Sequence, residues 1–179
     1  TTQDWIIAYW HHPPYSKGSH NSDTEYQLID MRQYALPVLE AGGVDLVLSG
    51  HSHSYERSFL LDRHYGLSST LVDWMKENIG NGRPWGDGAY MKPTLGPAAH
   101  EGAVYAVAGS SSQFSGGTLN HPVMITSLIK LGSLVLDING DALTATFIDH
   151  TGAALDSFTI LKGQPTTATG RVPTSLVRL

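Results

Sequence analysis

Two short apolar runs, Trp5–Trp10 (WIIAYW) and Val44–Ser49 (VDLVLS), flank one stretch of helical periodicity, and each run ends in histidines. Runs of this length bounded by turn residues predict buried strands. Pro13 and Pro14 stop the first, and Gly50 stops the second. Between them Leu28, Met31, Ala35, Val38 and Leu39 recur at helical spacing. Ser22-Asp23-Thr24-Glu25 has capping-box spacing before them, Pro37 predicts a kink or restart, and Gly42-Gly43 ends the helix. Strand, helix and strand at this separation form a βαβ unit with parallel strands. Both strands then finish on the same edge of the sheet, where α/β folds bind ligands.

Residues 63–100 are Gly-rich and irregular, with a short helix expected near Thr70–Glu77. From Ala103 onward the pattern turns to strands: AVYAVAG, SLVLDI, ALTATFID and ALDSFTI. Asn139-Gly140 predicts a hairpin between two of them, and His150-Thr151-Gly152 the next turn. The expected fold is therefore α/β, a βαβ unit followed by a mainly antiparallel sheet. Residues 1–162 make this domain, and the Thr/Pro/Gly-rich residues 163–179 read as a linker or frayed tail.

The chain has no cysteine, which excludes disulfides and thiolate metal sites. No apolar run approaches the roughly 20 residues that span a bilayer. Net charge is −5 and the eleven Lys and Arg are scattered, which excludes a surface built to wrap nucleic acid. Nine histidines point to imidazole chemistry instead. Gly50-His51-Ser52-His53 directly follows a strand, and two histidines at i and i+2 in extended backbone point the same way. Neutral imidazole suits zinc, iron and manganese. His11 at the neighbouring strand end strengthens a metal-site reading for His11, His51 and His53. Other His-x-His folds fit poorly, because Tyr55-Glu56 stand where a metallo-β-lactamase has an Asp-His pair, and Glu56 comes too early for a cupin.

HHPPYS at His11–Ser16 and GHSHSYERS at Gly50–Ser58 resemble the last two sequence blocks of the calcineurin-like metallophosphoesterases. The YER extension and YAVAGS at Tyr105–Ser110 resemble the purple-acid-phosphatase branch, and the likeness covers roughly residues 5–161. It implies half of a two-sheet αββα sandwich. It also implies a binuclear centre of iron with zinc or manganese, in which a metal-bound hydroxide hydrolyses phosphate monoesters. His11 and His51 match ligands of the second metal and His53 a ligand of the first. His20 falls where the branch places a proton-donor or phosphate-binding histidine, and His12, next to His11, reads as supporting the ligands or lining the substrate groove. The likeness further implies a small phosphate-ester substrate and an extracellular or periplasmic location.

The family's earlier blocks, built on Asp-x-His or Asp-x-Gly, Gly-Asp and Gly-Asn-His, are absent from this sequence. The chain also opens Thr-Thr-Gln-Asp and reaches a strand by Trp5. It is therefore expected to be a C-terminal half whose partner is the N-terminal half of the same protein, and to be inactive alone. A phosphodiesterase with the same centre and a non-catalytic phosphate-binding remnant are the rival readings. Tyr55, Glu56 and Arg57 are expected to pin the ligand loop, and Tyr15 and Trp85 to wall the cleft. His64, His100, His121 and His150 carry no pattern and read as surface or loop residues.

Overall fold

The computed structural model describes residues 1–164. Strand β1 (Ile7–Trp10) pairs in parallel with β2 (Leu46–Ser49), and β2 pairs in parallel with β6 (Ala103–Ala108). β3 (Tyr55–Leu61) runs antiparallel beside β6 and carries β4 (Lys76–Asn78) and β7 (Met124–Leu128) on its other side. A second, four-stranded sheet is ordered β5 (Tyr90–Lys92), β10 (Ala154–Lys162), β9 (Ala142–Asp149) and β8 (Gly132–Asn139). The expected βαβ unit and hairpin are present, with Gly140 at φ 58° in the β8–β9 turn. The third strand, AVYAVA, joins the parallel strands and not the antiparallel sheet.

Alternation along the central strands sets the layers. Val47 and Tyr105 face the helix side and pack with Tyr15, Leu36 and Val123. Their neighbours Leu46 and Val104 face the second sheet and pack with Leu143, Phe158 and Ile160. Both faces are covered, which is why these strands read as continuous apolar runs rather than alternating ones. The result is a helix–sheet–sheet stack, half of the expected sandwich.

The helix differs from expectation in two ways. It begins at Tyr26, with Glu25 as the N-cap residue and no capping side-chain bond, so there is no capping box. Ser22 is buried, and its hydroxyl instead accepts the Ser16 N–H at 3.1 Å. α1 (Tyr26–Asp30) continues through a π-turn (Met31–Ala35) into α2 (Leu36–Ala41), with Pro37 in the first turn of α2. A proline cannot donate to the turn before it, and the wider π-turn accommodates that loss. The shift in phase leaves Val38 72% exposed and buries Arg32, whose Nη1 donates to the carbonyls of Pro14 and Ser22. The helix expected near Thr70–Glu77 is two short 3₁₀ turns (Ser68–Thr70, Asp73–Met75) followed by β4.

Asp45, at the start of β2, ties the layers together. Its carboxylate accepts Lys92 Nζ at 2.6 Å, Lys162 Nζ at 3.1 Å and the Ile6 N–H at 2.9 Å. The pair of lysines comes from the second sheet, so one buried carboxylate links both sheets to the chain entering β1. Residues 165–179, most of the segment read as a tail, lie outside the described residues.

Candidate metal and phosphate site

His11 follows β1 directly, and His51 lies two residues past the end of β2. Their parallel pairing brings the two rings together, with His11 Nε2 and His51 Nδ1 3.1 Å apart. His12 joins them, its ring centroid 4.5 Å from that of His51. The His20 ring centroid lies 3.7 Å from that of His51, with the rings tilted by 32°. His11, His12 and His51 each present a ring nitrogen within 4.8 Å of the others, and His20, Glu25 and His51 form a second such group.

The backbone at His51 is unusual, with φ 59° in the left-handed region. A non-glycine residue held there costs of order 1–3 kcal/mol, and such positions cluster at functional sites. The turn has a further consequence. His51 is therefore not in extended backbone, so the extended-strand argument for a common direction of His51 and His53 does not apply here. His53 is faced by Gln113 Nε2 at 3.0 Å from its Nδ1. The structure thus brings His11, His12, His20 and His51 together, but His53 belongs to neither close group.

Glu56 builds the floor of the site. It is fully buried and accepts the Ser16 hydroxyl at 2.6 Å, the Ser54 hydroxyl at 2.9 Å and the N–H groups of Lys17 and Gly18 at 3.1 Å. This one carboxylate fastens the loop carrying His20 to the loop carrying His53, and Ser19 Oγ accepts the His53 N–H at 2.9 Å. Tyr55 and Arg57 anchor the same strand from behind by donating to Asp156 at 2.8 and 2.6 Å. The residue segment 109–121 closes over the side, through Ser115 N–H to the His53 carbonyl and Leu119 N–H to the Lys17 carbonyl.

Glu25 was not foreseen as a site residue. Its Oε2 lies 2.7 Å from His20 Nδ1 and 3.8 Å from His51 Nε2, while Oε1 accepts the Asn21 N–H. Burial pushes this carboxyl up, but the Asn21 N–H, His20 and His51 outweigh it and hold it below its usual range. Burial, then the neighbouring His20, His12 and His11, lower His51, with Glu25 opposing them. Neutral imidazole is the form that donates a lone pair to a metal. A carboxylate on the far nitrogen of a site histidine orients such a ring. The sequence signal was a carboxylate five residues past a loop histidine, which the capping-box reading absorbed. Gln113, in a Ser/Gly-rich stretch, offered no signal.

One other expectation needs correction. Tyr15 does not wall a cleft: it is fully buried against Tyr105, His64 and His121. His64 and His121 lie in loops, as one of the two expected placements had it, and are buried against Tyr15, at 0% and 2% exposure. His100 lies in a turn, and its Nδ1 meets Asp62 Oδ1 at 2.9 Å. Trp85 is 77% exposed.

The donors fit a divalent cation in type, being imidazole nitrogens with one carboxylate. They do not by themselves balance two such cations, for which the close histidine cluster offers only Glu25 as an anionic donor. Among the described residues no helix is long and apolar enough to cross a membrane.

Comparison with known proteins agrees with the motif resemblance. Residues 1–55 match the family model described as calcineurin-like phosphoesterase, and this stretch holds HHPPYS and GHSHSY. Purple acid phosphatase 18 of Arabidopsis thaliana is 38% identical over 55 residues, which are 30% of this chain and 12% of that protein. The structure of purple acid phosphatase PPD1 from yellow lupin (Lupinus luteus) seeds superposes on 99% of this chain with a TM-score of 0.64. Identity there is 18%, so the likeness is one of fold, and this chain covers 29% of the lupin chain. The chain therefore spans less than a third of either relative.

Proposed function

We propose that this chain is the C-terminal part of a purple-acid-phosphatase-like hydrolase that cleaves phosphate monoesters at a binuclear metal centre. The observation that carries the reading is the convergence of His11, His12, His20, His51 and Glu25 at the carboxyl edge of parallel strands. His11 and His51 hold one metal and His53 the other, the pair being iron with zinc or manganese. When bound, two such ions polarise a phosphate and supply the nucleophile for its hydrolysis.

The chain's own residues do the rest. His20, oriented by Glu25, protonates the departing alkoxide, and His12 contacts the phosphate. Glu56 and Asp156 keep the two ligand loops in register. The remaining metal ligands come from an N-terminal segment of the same protein. We place that segment against the outer side of β1, which among the described residues pairs only with β2. An apolar groove lined by Ile7, Trp10, Met31 and Leu39 lies there, and Tyr9 beside it is 82% exposed. Export from the cytoplasm is part of the same reading.

The test uses protein that carries the complementing segment. His20→Ala should lower kcat for alkyl phosphates by about 10²–10⁴-fold. The defect should shrink for p-nitrophenyl phosphate, whose leaving group departs without a proton, and metal content should be unchanged. Equal KM defects for every leaving group would assign His20 to phosphate binding instead. The isolated chain should turn over neither substrate, and robust chelator-sensitive turnover by it would overturn the division of ligands. Preference for a diester over both monoesters would move the activity to the phosphodiesterase class.

A further inference from the structure

We propose that Glu40, Asp62 and His100 form a second divalent-cation site, at the opposite end of the sheet from the histidine cluster. Glu40 closes α2 just before β2 begins. Asp62 follows β3, which runs antiparallel to β6, and His100 precedes β6, which runs parallel to β2. All three thus gather at the amino-terminal end of β2, whereas His51 stands beyond its carboxyl end.

Each residue offers one donor atom within 4.8 Å of the other two. The setting is not that of a solvated acidic patch, because Glu40 is 3% exposed and Asp62 1%. Glu40 is held in place by the Tyr65 and Tyr105 hydroxyls and by the Arg63 N–H at 2.8 Å. His100 is held through its own N–H, which donates to the Glu40 carbonyl at 3.1 Å. Its ring remains about a third exposed, which leaves a route of entry from solvent.

Asp62 supplies the observation that points to a ligand. Oδ1 accepts from His100, but Oδ2 is buried and accepts no hydrogen bond. Arg63 Nε approaches it only to 3.4 Å, on a side chain half exposed to solvent. A buried carboxylate oxygen left without a donor is costly, and native structures rarely leave one so. The charges are unbalanced in the same sense. Glu40, Asp62 and nearby Glu77 face Arg63 and, when protonated, His100. Burial pushes the Glu40 carboxyl up; the Tyr105 and Tyr65 hydroxyls and the Arg63 N–H oppose this, and Asp62 adds to it. Burial, then Asp62, raises Glu77 as well. A divalent cation among these groups relieves both the orphan oxygen and the crowding.

The donor set selects the ion. Two carboxylate oxygens with one imidazole nitrogen suit Mn²⁺ or Zn²⁺ rather than a thiolate-loving ion. Ligands about 2.1 Å from one ion stand roughly 3–4 Å from each other, so the present spacing needs only a small opening of the His100–Asp62 contact.

The experiment is a Mn²⁺ titration of the full chain by electron paramagnetic resonance, in which free ion gives the signal and bound ion loses it. His11→Ala/His51→Ala serves as background, so that the proposed phosphoesterase centre contributes nothing and its failure is scored separately. One Mn²⁺ should still bind in that background. Asp62→Asn and His100→Gln should each weaken it by about tenfold or more, the least that loss of even an outer partner costs a metal site. His100 is peripheral enough that its variant reports even if Asp62→Asn misfolds by circular dichroism. Absence of binding in the background at millimolar Mn²⁺ would overturn the site, as would unchanged affinity in His100→Gln.

Discussion

Acid should destabilise this protein largely through His121. The imidazole is 2% exposed, its Nδ1 accepts the Val123 N–H at 3.3 Å, and its Nε2 is buried without a partner. Burial is the main cause that lowers it from 6.5 to about 3, with Asp23 opposing and His64, Lys17 and Arg32 adding to the effect. The folded state therefore binds this proton far more weakly than the unfolded chain does. Stability from this group is fully present above pH 6.5 and is lost as pH falls from there towards 3. The full shift corresponds to roughly 5 kcal/mol, of which about 2 kcal/mol is lost between pH 8 and pH 5. His64 is lowered as well, mainly by burial, and acts in the same direction. Urea unfolding at pH 8, 6 and 5 measures the loss. His121→Asn keeps an acceptor near the Nδ1 position without a titrating ring, so about 2 kcal/mol of the pH dependence should vanish. If the variant loses as much stability as the parent between pH 8 and 5, within about 0.5 kcal/mol, the buried-neutral account of His121 is wrong.

Two further outcomes follow from the packing around the ligand loops. Asp156→Ala removes the partner of fully buried Arg57 and should cost about 3–5 kcal/mol in urea unfolding, since the guanidinium is left uncompensated; a loss under 1 kcal/mol would show that water replaces the carboxylate. A Cβ at Gly117 would stand 1.5 Å from the Gly18 carbonyl oxygen, so Gly117→Ala must displace the 109–121 segment. Hydrogen-exchange protection at the Ser115 and Leu119 amides should fall by about tenfold or more, the equivalent of ~1.4 kcal/mol, with β8–β9 unaffected.

The βαβ unit was legible because two apolar runs and a helical stripe leave few other arrangements, and the position of His11 beside His51 follows from parallel pairing alone. The expected hairpin was legible from Asn139-Gly140. What escaped the sequence was set by long-range contacts. YERSFLL contains three charged or polar residues, yet it is a buried central strand because Glu56 and Arg57 find partners in the Ser16–Gly18 loop and in Asp156. His64 and His121 lie in loops as expected, but nothing local shows that they are buried against Tyr15. The i, i+2 rule presumes extended backbone, and φ 59° at His51 removes that premise for His51 and His53. Glu25 was misassigned for a related reason, since a carboxylate three residues past a serine fits a cap and an imidazole partner equally well until the helix start is known.

Asp45 also sets a timetable for synthesis. Its partner Lys162 lies 117 residues further on, and Lys162 Nζ also donates to the Asp4 carbonyl across a span of 158 residues. At about 5–20 residues per second, the ribosome delivers that lysine roughly 6–23 s after the aspartate. During that interval β1 and β2 exist without the β9–β10 layer that covers Leu46. The apolar face of β2 at Leu46 stays uncovered for that time, and truncation before β10 should yield a chain that aggregates while still being translated.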